Sequence, residues 1–346
     1  MNRKIDHIEL AKFNQIDGSF LDSRFDYEPL LSGHPAHIDH SLNFLNKRMK
    51  YPLWISSMTG GMAEGKLLNE RLALICRKYQ LGMGLGSIRK LLDDDRLFDT
   101  FDFRPTLGEE VPFVANLGIA QVENILNDNK VGKLEQVLQR LKVDCLMIHV
   151  NPLQEWMQKG GDRYFIPPFI SIKKLAEQLS FPIGVKEVGQ GMGPKSIQKL
   201  LTLPVRVFEF AAFGGTNFTK MELLRLEDKI YQETLNPLIT VGHDAISMID
   251  TFGKILLPEN GTVRLKEIII SGGVESWKDG MYYIDRFKKI SASLKVEVVF
   301  GQAFRFLEYA KISLEALDVY TLGVIHGMDL YRSFLSLKNN VDGEEV

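Results

Sequence analysis

Hydrophobic residues along this chain fall into short, nearly unbroken runs separated by amphipathic stretches. Strand-like runs are read at Pro52–Ser57, Leu81–Leu85, Pro112–Leu117, Val143–Val150, Pro182–Glu187, Val205–Phe210, Glu267–Ser271 and Val296–Phe300. Continuous rather than alternating apolar character is what parallel strands covered on both faces require. Between them, Gly65–Tyr79 places Leu67, Leu68, Leu72, Ile75 and Cys76 on one helical stripe with its charges opposite, and Lys133–Leu141 and Ile172–Leu179 follow the same rule. Successive runs begin roughly 23 to 39 residues apart over the first six, the length of a strand–helix unit. Eight such units predict an α/β fold of the (β/α)8 barrel type, with an open doubly wound sheet as the alternative.

Two stretches fall outside this rhythm. Residues 1–50 precede the first strand and are read as an N-terminal arm. The interval from Val205 to Glu267 is about twice the usual unit. It predicts an insertion over 219–261 after the sixth strand, standing as a lid over the face where barrels do chemistry. The whole chain, 1–346, reads as one barrel domain, with Asp342–Val346 as a frayed tail.

Composition narrows the function classes. With 42 Lys+Arg against 44 Asp+Glu the net charge is −2, with 45% hydrophobic and 25% charged residues, so neither disorder nor sequence-independent nucleic-acid binding is expected. No apolar stretch reaches the ~18–20 residues of a membrane span. The polar start, Met1 to His7, does not read as a secretory signal. Cys76 and Cys145, both in apolar surroundings, read as buried free thiols, and the cytoplasm is the expected compartment. His34, His37 and His40 are spaced by three, but Gly33 and Pro35 break any helix that would align them, and a surface loop is expected.

The strand ends hold the candidate chemistry. In order they read Ser56-Ser57-Met58-Thr59-Gly60-Gly61, Gly86-Ser87-Ile88-Arg89-Lys90, Ala115-Asn116-Leu117-Gly118, His149 through Glu155, Val185-Lys186-Glu187-Val188-Gly189, Gly214-Gly215-Thr216-Asn217, Ser271-Gly272-Gly273 and Gly301-Gln302-Ala303. Singly, a glycine pair is a tight turn as readily as a phosphate cradle, and a strand-end lysine is usually solvated. A barrel, however, gathers all eight ends into one mouth. The last two glycine loops stand where barrels bind phosphate, suiting a nucleotide-type cofactor. Lys186 would stabilise negative charge on a cofactor ring. Arg3, Lys4 and Arg89 would meet a second, anionic ligand, and Glu155 would hold a divalent cation or, alternatively, satisfy a helix N-terminus.

In this order, from residue 3 to about 310, these motifs resemble type 2 isopentenyl diphosphate isomerase; Ser-Met-Thr-Gly-Gly, His149 through Glu155, and Lys-Glu-Val-Gly followed by Gly-Gly-Thr are the most specific. The resemblance implies an FMN barrel that interconverts isopentenyl and dimethylallyl diphosphate, with the flavin reduced by NADPH, with Mg2+, and with no net redox change. In that family the reduced flavin itself handles the protons. FMN contacts are implied at Ser57, Met58, Thr59, Ser87, Asn116, Lys186, Thr216, Gly272, Gly273, Ala303 and Phe304. Substrate contacts are implied at Arg3, Lys4, Ser87, Arg89, His149, Asn151 and Gln154, with Glu155 on Mg2+. Gln154, His149 and Lys186 are the implied catalytic group; Gln154 cannot titrate, so it would position a water or the substrate. Assembly as a homo-oligomer, a tetramer or octamer, is implied as well.

The chain departs from the family pattern at four points. Ile88 stands where Gln is usual, Ala211 where Ser is expected, and Glu275 where an arginine follows the Ser-Gly-Gly loop; the last loop reads Ala303-Phe304-Arg305-Phe306. Arg305 or Lys278 is expected to replace the cation missing at Glu275. Two other functions stay open on sequence alone. One is an FMN oxidase or dehydrogenase, which needs a late-strand histidine where this chain offers only His243 and His326. The other is a flavin-binding protein without isomerase chemistry.

Overall fold

The computed structural model describes residues 3–57, 63–255 and 263–338. Eight parallel strands close into a barrel: β1 (Leu53–Ile55), β2 (Gly82–Ser87), β3 (Phe113–Gly118), β4 (Cys145–His149), β5 (Ile183–Lys186), β6 (Val207–Glu209), β7 (Glu267–Ser271) and β8 (Glu297–Gln302). Closure is made by β8 on β1, with Phe300, Gly301 and Gln302 opposite Leu53, Trp54 and Ile55. The predicted barrel and its eight strands are therefore observed, and Glu267–Ser271 matches residue for residue. Cys76 and Cys145 are both buried free thiols.

Apolar runs become strands here because both faces are covered. One face packs a central cluster of Trp54, Val114, Cys145, Met147, Val207, Ile269 and Val299. The other meets helices such as Val131–Leu141, which buries Val131, Leu134, Val137, Leu138 and Leu141 on one stripe. In Ala63–Tyr79 the buried stripe is Leu72, Ala73, Ile75 and Cys76, whereas Leu67 is half-exposed, so the predicted face is rotated at its first turn.

The N-terminal end of the barrel is plugged by a hairpin, Leu42–Phe44 with Lys47–Met49, whose Phe44, Leu45 and Met49 join the central cluster. Its two-residue turn holds Leu45 and Asn46 at positive φ (51° and 62°), the geometry that matches hairpin twist but strains a leucine. Two contacts offset that strain. Leu45 is buried, at roughly 2 kcal/mol for its side chain, and its N–H donates to the Glu267 carboxylate at 3.2 Å. Arg206 pairs with the same carboxylate at 2.8 Å.

In the region after β6, Phe218–Arg225, Lys229–Leu235 and a 3-10 turn Asn236–Thr240 precede Ala245–Lys254, a helix that packs on Trp277–Ile290 in the outer layer. Phe252 on that helix stacks on Phe210 at 5.9 Å and meets Phe287 edge-on at 5.2 Å.

Residues up to Ala36 and from Leu330 onward form a separate, smaller unit. It contains the helix Arg3–Leu10 and an antiparallel pair, Phe25–Tyr27 with Leu335–Leu337; Phe25 meets Tyr331 edge-on, and His34 meets Phe334 likewise. Of the histidine triplet, His34 and His37 are exposed as expected, whereas the His40 side chain, in the barrel unit, is 3% exposed with its Nε2 2.9 Å from Asp329. The tail from Asp342 lies outside the described residues. No helix among the described residues is long and apolar enough to cross a membrane.

Candidate active site

The C-terminal strand ends carry two adjoining constellations. In the first, the loops after β6 and β7 are brought face to face by glycines. Gly214 (φ 118°), Gly272 (φ 83°) and Gly273 (φ 70°) adopt conformations that L side chains rarely take. A Cβ on Gly272 would stand 2.0 Å from the Ala212 carbonyl oxygen, and one on Gly214 would stand 3.2 Å from Gly273 Cα. The sequence places glycine there because nothing larger fits. Ala211 also sits at positive φ (43°), its N–H accepted by Ser271 Oγ at 3.0 Å, while the Ser271 hydroxyl donates to buried Glu209 at 3.0 Å.

These loops wall a cavity of about 540 Å3. Of the residues expected to bind FMN, the cavity is lined by Ser57, Lys186, Thr216, Gly272, Gly273, Ala303 and Phe304. Asn116 and Ser87 do not line it: Asn116 is buried against His149, and Ser87 Oγ accepts the Arg89 N–H at 3.4 Å. Met58 and Thr59 lie outside the described residues. The volume suits a cofactor-sized ligand. Buried hydroxyls on Ser56 and Ser57 have no partner among the described residues, as expected of groups that a ligand satisfies. Glu275, after the Ser-Gly-Gly loop, and Arg305, on the helix after β8, both line the cavity, with Arg305 3.3 Å from Glu308; Lys278 does not line it.

The second constellation surrounds β4. His149 Nδ1 lies 2.8 Å from Asn116 Oδ1. Burial, and then the Lys186 ammonium on the adjacent strand, push the imidazole down to about 3, so it is neutral at ordinary pH. Gly118 makes room, since a Cβ there would lie 2.9 Å from His149 Nε2. Lys186 itself is buried and donates to the Glu187 carbonyl at 2.7 Å. Glu187 folds its own loop by accepting the N–H groups of Gly189, Gln190 and Gly191 at 2.7, 2.6 and 3.2 Å, while burial pushes its carboxyl pKa up.

Pro152 opens the short helix Pro152–Met157, on which Gln154 and Glu155 follow Asn151. Asn151 Nδ2 donates to Gln154 Oε1 at 3.0 Å and to Glu155 Oε1 at 3.1 Å, and Asp162 N–H donates to Glu155 Oε2 at 2.8 Å. Both oxygens of Glu155 are thus engaged, and the described residues contain no cluster of three metal-ligating side chains. Arg89 lies outside the large cavity, beside a second cleft of about 260 Å3, and its Nη1 is 2.5 Å from Asp162 Oδ2. Lys186 belongs to both constellations: it lines the cavity and lies in register with His149. Arg3 and Lys4 begin the helix of the terminal unit, and their side chains are outside those described.

Sequence reasoning missed Gln121, Asp162 and Glu209. Glu209 had a signal, as the last residue of a strand; Gln121 and Asp162 carried none, because each is defined by a partner far along the chain.

No family model matches the chain. An isopentenyl-diphosphate delta-isomerase of Rickettsia akari is 33% identical over 315 residues, 90% of this chain and 86% of that protein. The protein of the same name from Rickettsia felis is 32% identical over 322 residues, 92% and 88% of the two chains. Among solved structures, a flavocytochrome b2 variant with sulfite bound superposes with a TM-score of 0.58 at 15% identity, covering 93% of this chain and 78% of that one. A mandelate oxidase variant with a monooxide FMN adduct gives 0.54 at 10% identity, covering 91% and 88%. At those identities the structural likeness speaks for the barrel fold alone.

Proposed function

This chain belongs to the isopentenyl-diphosphate delta-isomerase family, and on that premise we propose that its barrel mouth interconverts isopentenyl and dimethylallyl diphosphate with reduced FMN in the glycine-walled cavity. The observation that carries the reading is the pairing of that cavity, with its two unsatisfied serine hydroxyls, to a neighbouring set of diphosphate-type ligands through one shared residue, Lys186. Held by Ser57, Lys186, Thr216 and the Gly272–Gly273 loop, reduced FMN would supply the acid–base chemistry of the allylic proton shift.

The chain's own residues do the rest. Gly272 and Gly273, both at positive φ and both in the cavity wall, would offer backbone N–H groups to the FMN phosphate. Lys186 holds a buried positive charge against the anionic reduced ring. Ser57, Thr216, Ala303 and Phe304 complete the cofactor walls, and Ser87, Asn116, Met58 and Thr59 remain proposed contacts. Neutral His149 offers a hydrogen bond rather than a charge to the diphosphate. Asn151, by holding Gln154 Oε1, leaves the Gln154 amide hydrogens as donors to a phosphate oxygen or a water. Arg89, with Arg3 and Lys4, would balance the diphosphate charge.

Glu155 is the residue that would hold Mg2+ beside the diphosphate, its carboxylate kept in place by Asn151 and the Asp162 N–H. NADPH is the proposed reductant, and a cytoplasmic homo-oligomer, tetramer or octamer, the proposed working form. An oxidase-type reading is disfavoured because the lining of the cavity holds no histidine among the described residues. The test is direct. Protein loaded with FMN, supplied with Mg2+ and reduced by NADPH or dithionite, is expected to convert isopentenyl to dimethylallyl diphosphate. A yellow protein that leaves the substrate unchanged supports a flavin-binding protein instead, and no flavin uptake ends the proposal.

A further inference from the structure

Beside the Arg89 side chain lies a carboxylate that none of the strand-end motifs contains. Asp162 Oδ2 accepts Arg89 Nη1 at 2.5 Å and Gln121 Nε2 at 2.7 Å, and the Asp162 N–H donates to Glu155 Oε2 at 2.8 Å. One residue thereby ties together the segments that follow β2, β3 and β4. The loop bearing it is pinned on its near side too. A Cβ on Gly161 would lie 2.1 Å from the Glu155 carbonyl oxygen, and Arg163 bonds that same carbonyl while lying over the Trp156 ring at 4.6 Å.

We propose that Asp162 is the positioning residue of the diphosphate site, fixing the Arg89 guanidinium with its side chain and the Glu155 carboxylate with its backbone. The inference rests on the assignment of Arg89 and Glu155 to the diphosphate under the proposed function. Arg89 is 52% exposed, and a guanidinium that free would otherwise sample many rotamers. Anchoring Nη1 leaves Nε and Nη2 for the planar, paired contact that phosphate oxygens favour. The rival reading makes Asp162 a competitor that occupies Arg89 until diphosphate displaces it. The geometry speaks against that: Gln121 and the bond to Glu155 hold Asp162 in place independently of Arg89, so it is a fixed post.

The two readings predict opposite signs. Calorimetric titration of the FMN-loaded full chain with inorganic diphosphate and Mg2+ is the probe, run on wild type, Asp162→Ala, Arg89→Ala and the double variant. Asp162→Ala is expected to weaken diphosphate binding about tenfold, the size of one charge-assisted contact, and to raise KM for isopentenyl diphosphate more than it lowers kcat. FMN affinity should not move. In the Arg89→Ala background the same change should cost less than about twofold, because the contact is already gone. Asp162→Asn, which keeps an acceptor oxygen and the side-chain shape, should recover part of the loss and shows the effect is not misfolding. Tighter or unchanged binding in Asp162→Ala overturns the inference, as does an undiminished tenfold loss in the Arg89→Ala background. Wild-type protein that binds no inorganic diphosphate overturns it as well. Wild-type protein that binds inorganic diphosphate yet fails to isomerise contradicts the proposed function, while the cycle still decides the role of Asp162.

Discussion

Replacing His149 with Gln should make the protein more resistant to acid. The unfolded histidine titrates near 6.5, whereas burial and the Lys186 ammonium hold the folded imidazole near 3. Above pH 6.5 both states are neutral and the residue contributes nothing to pH dependence. Below it the unfolded chain takes up a proton that the native site refuses, so stability falls through the window from 6.5 down to 3. Linkage gives a loss of about 2 kcal/mol by pH 5 and about 4 kcal/mol at the lower end of the window. Glu187 acts in the opposite sense, because burial raises its carboxyl pKa and the native state then gains on acidification. The comparison therefore has to be between variants at each pH. Melting curves at pH 7.5 and 5 should show wild type losing about 3 °C more in Tm than His149→Gln for a chain of this size. Equal losses in the two proteins would refute the placement of a neutral, part-buried imidazole beside Lys186. The same neutrality predicts that activity shows no step at pH 6.5 assignable to His149.

The glycine cradle and its rim cation give two more tests. Gly272→Ala should abolish stable FMN binding, since its Cβ would meet the Ala212 carbonyl oxygen at 2.0 Å in a backbone conformation that costs a non-glycine residue about 1–3 kcal/mol; a fluorescence titration with wild-type affinity would contradict the cradle. Arg305→Ala should weaken FMN about tenfold, the loss of one charge-assisted phosphate contact, whereas Lys278→Ala should leave affinity unchanged because Lys278 is not in the cavity wall. Wild-type affinity in Arg305→Ala would end the idea that Arg305 offsets Glu275.

The barrel was legible because its signal is local: each strand is buried on both faces and so is apolar throughout, and the Glu267–Ser271 run could be bounded to the residue. The glycine loops were legible for a similar reason, as positive φ and close approach demand glycine at the position itself. What stayed hidden depends on partners distant in the chain. Asp162 looks like an ordinary loop carboxylate until Arg89, 73 residues earlier, reaches it. His40 reads as a loop residue and is buried against Asp329, 289 residues later. The Leu42–Met49 plug consists of three-residue strands of mixed character, too short for any period to show. Glu155 was ambiguous between metal ligand and helix-terminal carboxylate. It accepts from both Asn151 and the Asp162 backbone, a role that neither reading contained.

The most direct test of the central claim is isotopic. FMN-loaded protein with Mg2+, reduced by dithionite in heavy water and given isopentenyl diphosphate, should place deuterium in both substrate and product at the carbons that gain and lose protons. Oxidised protein should place none. Deuterium incorporation that is the same with oxidised and reduced flavin, or absent from a reduced, fully loaded protein, would contradict the account.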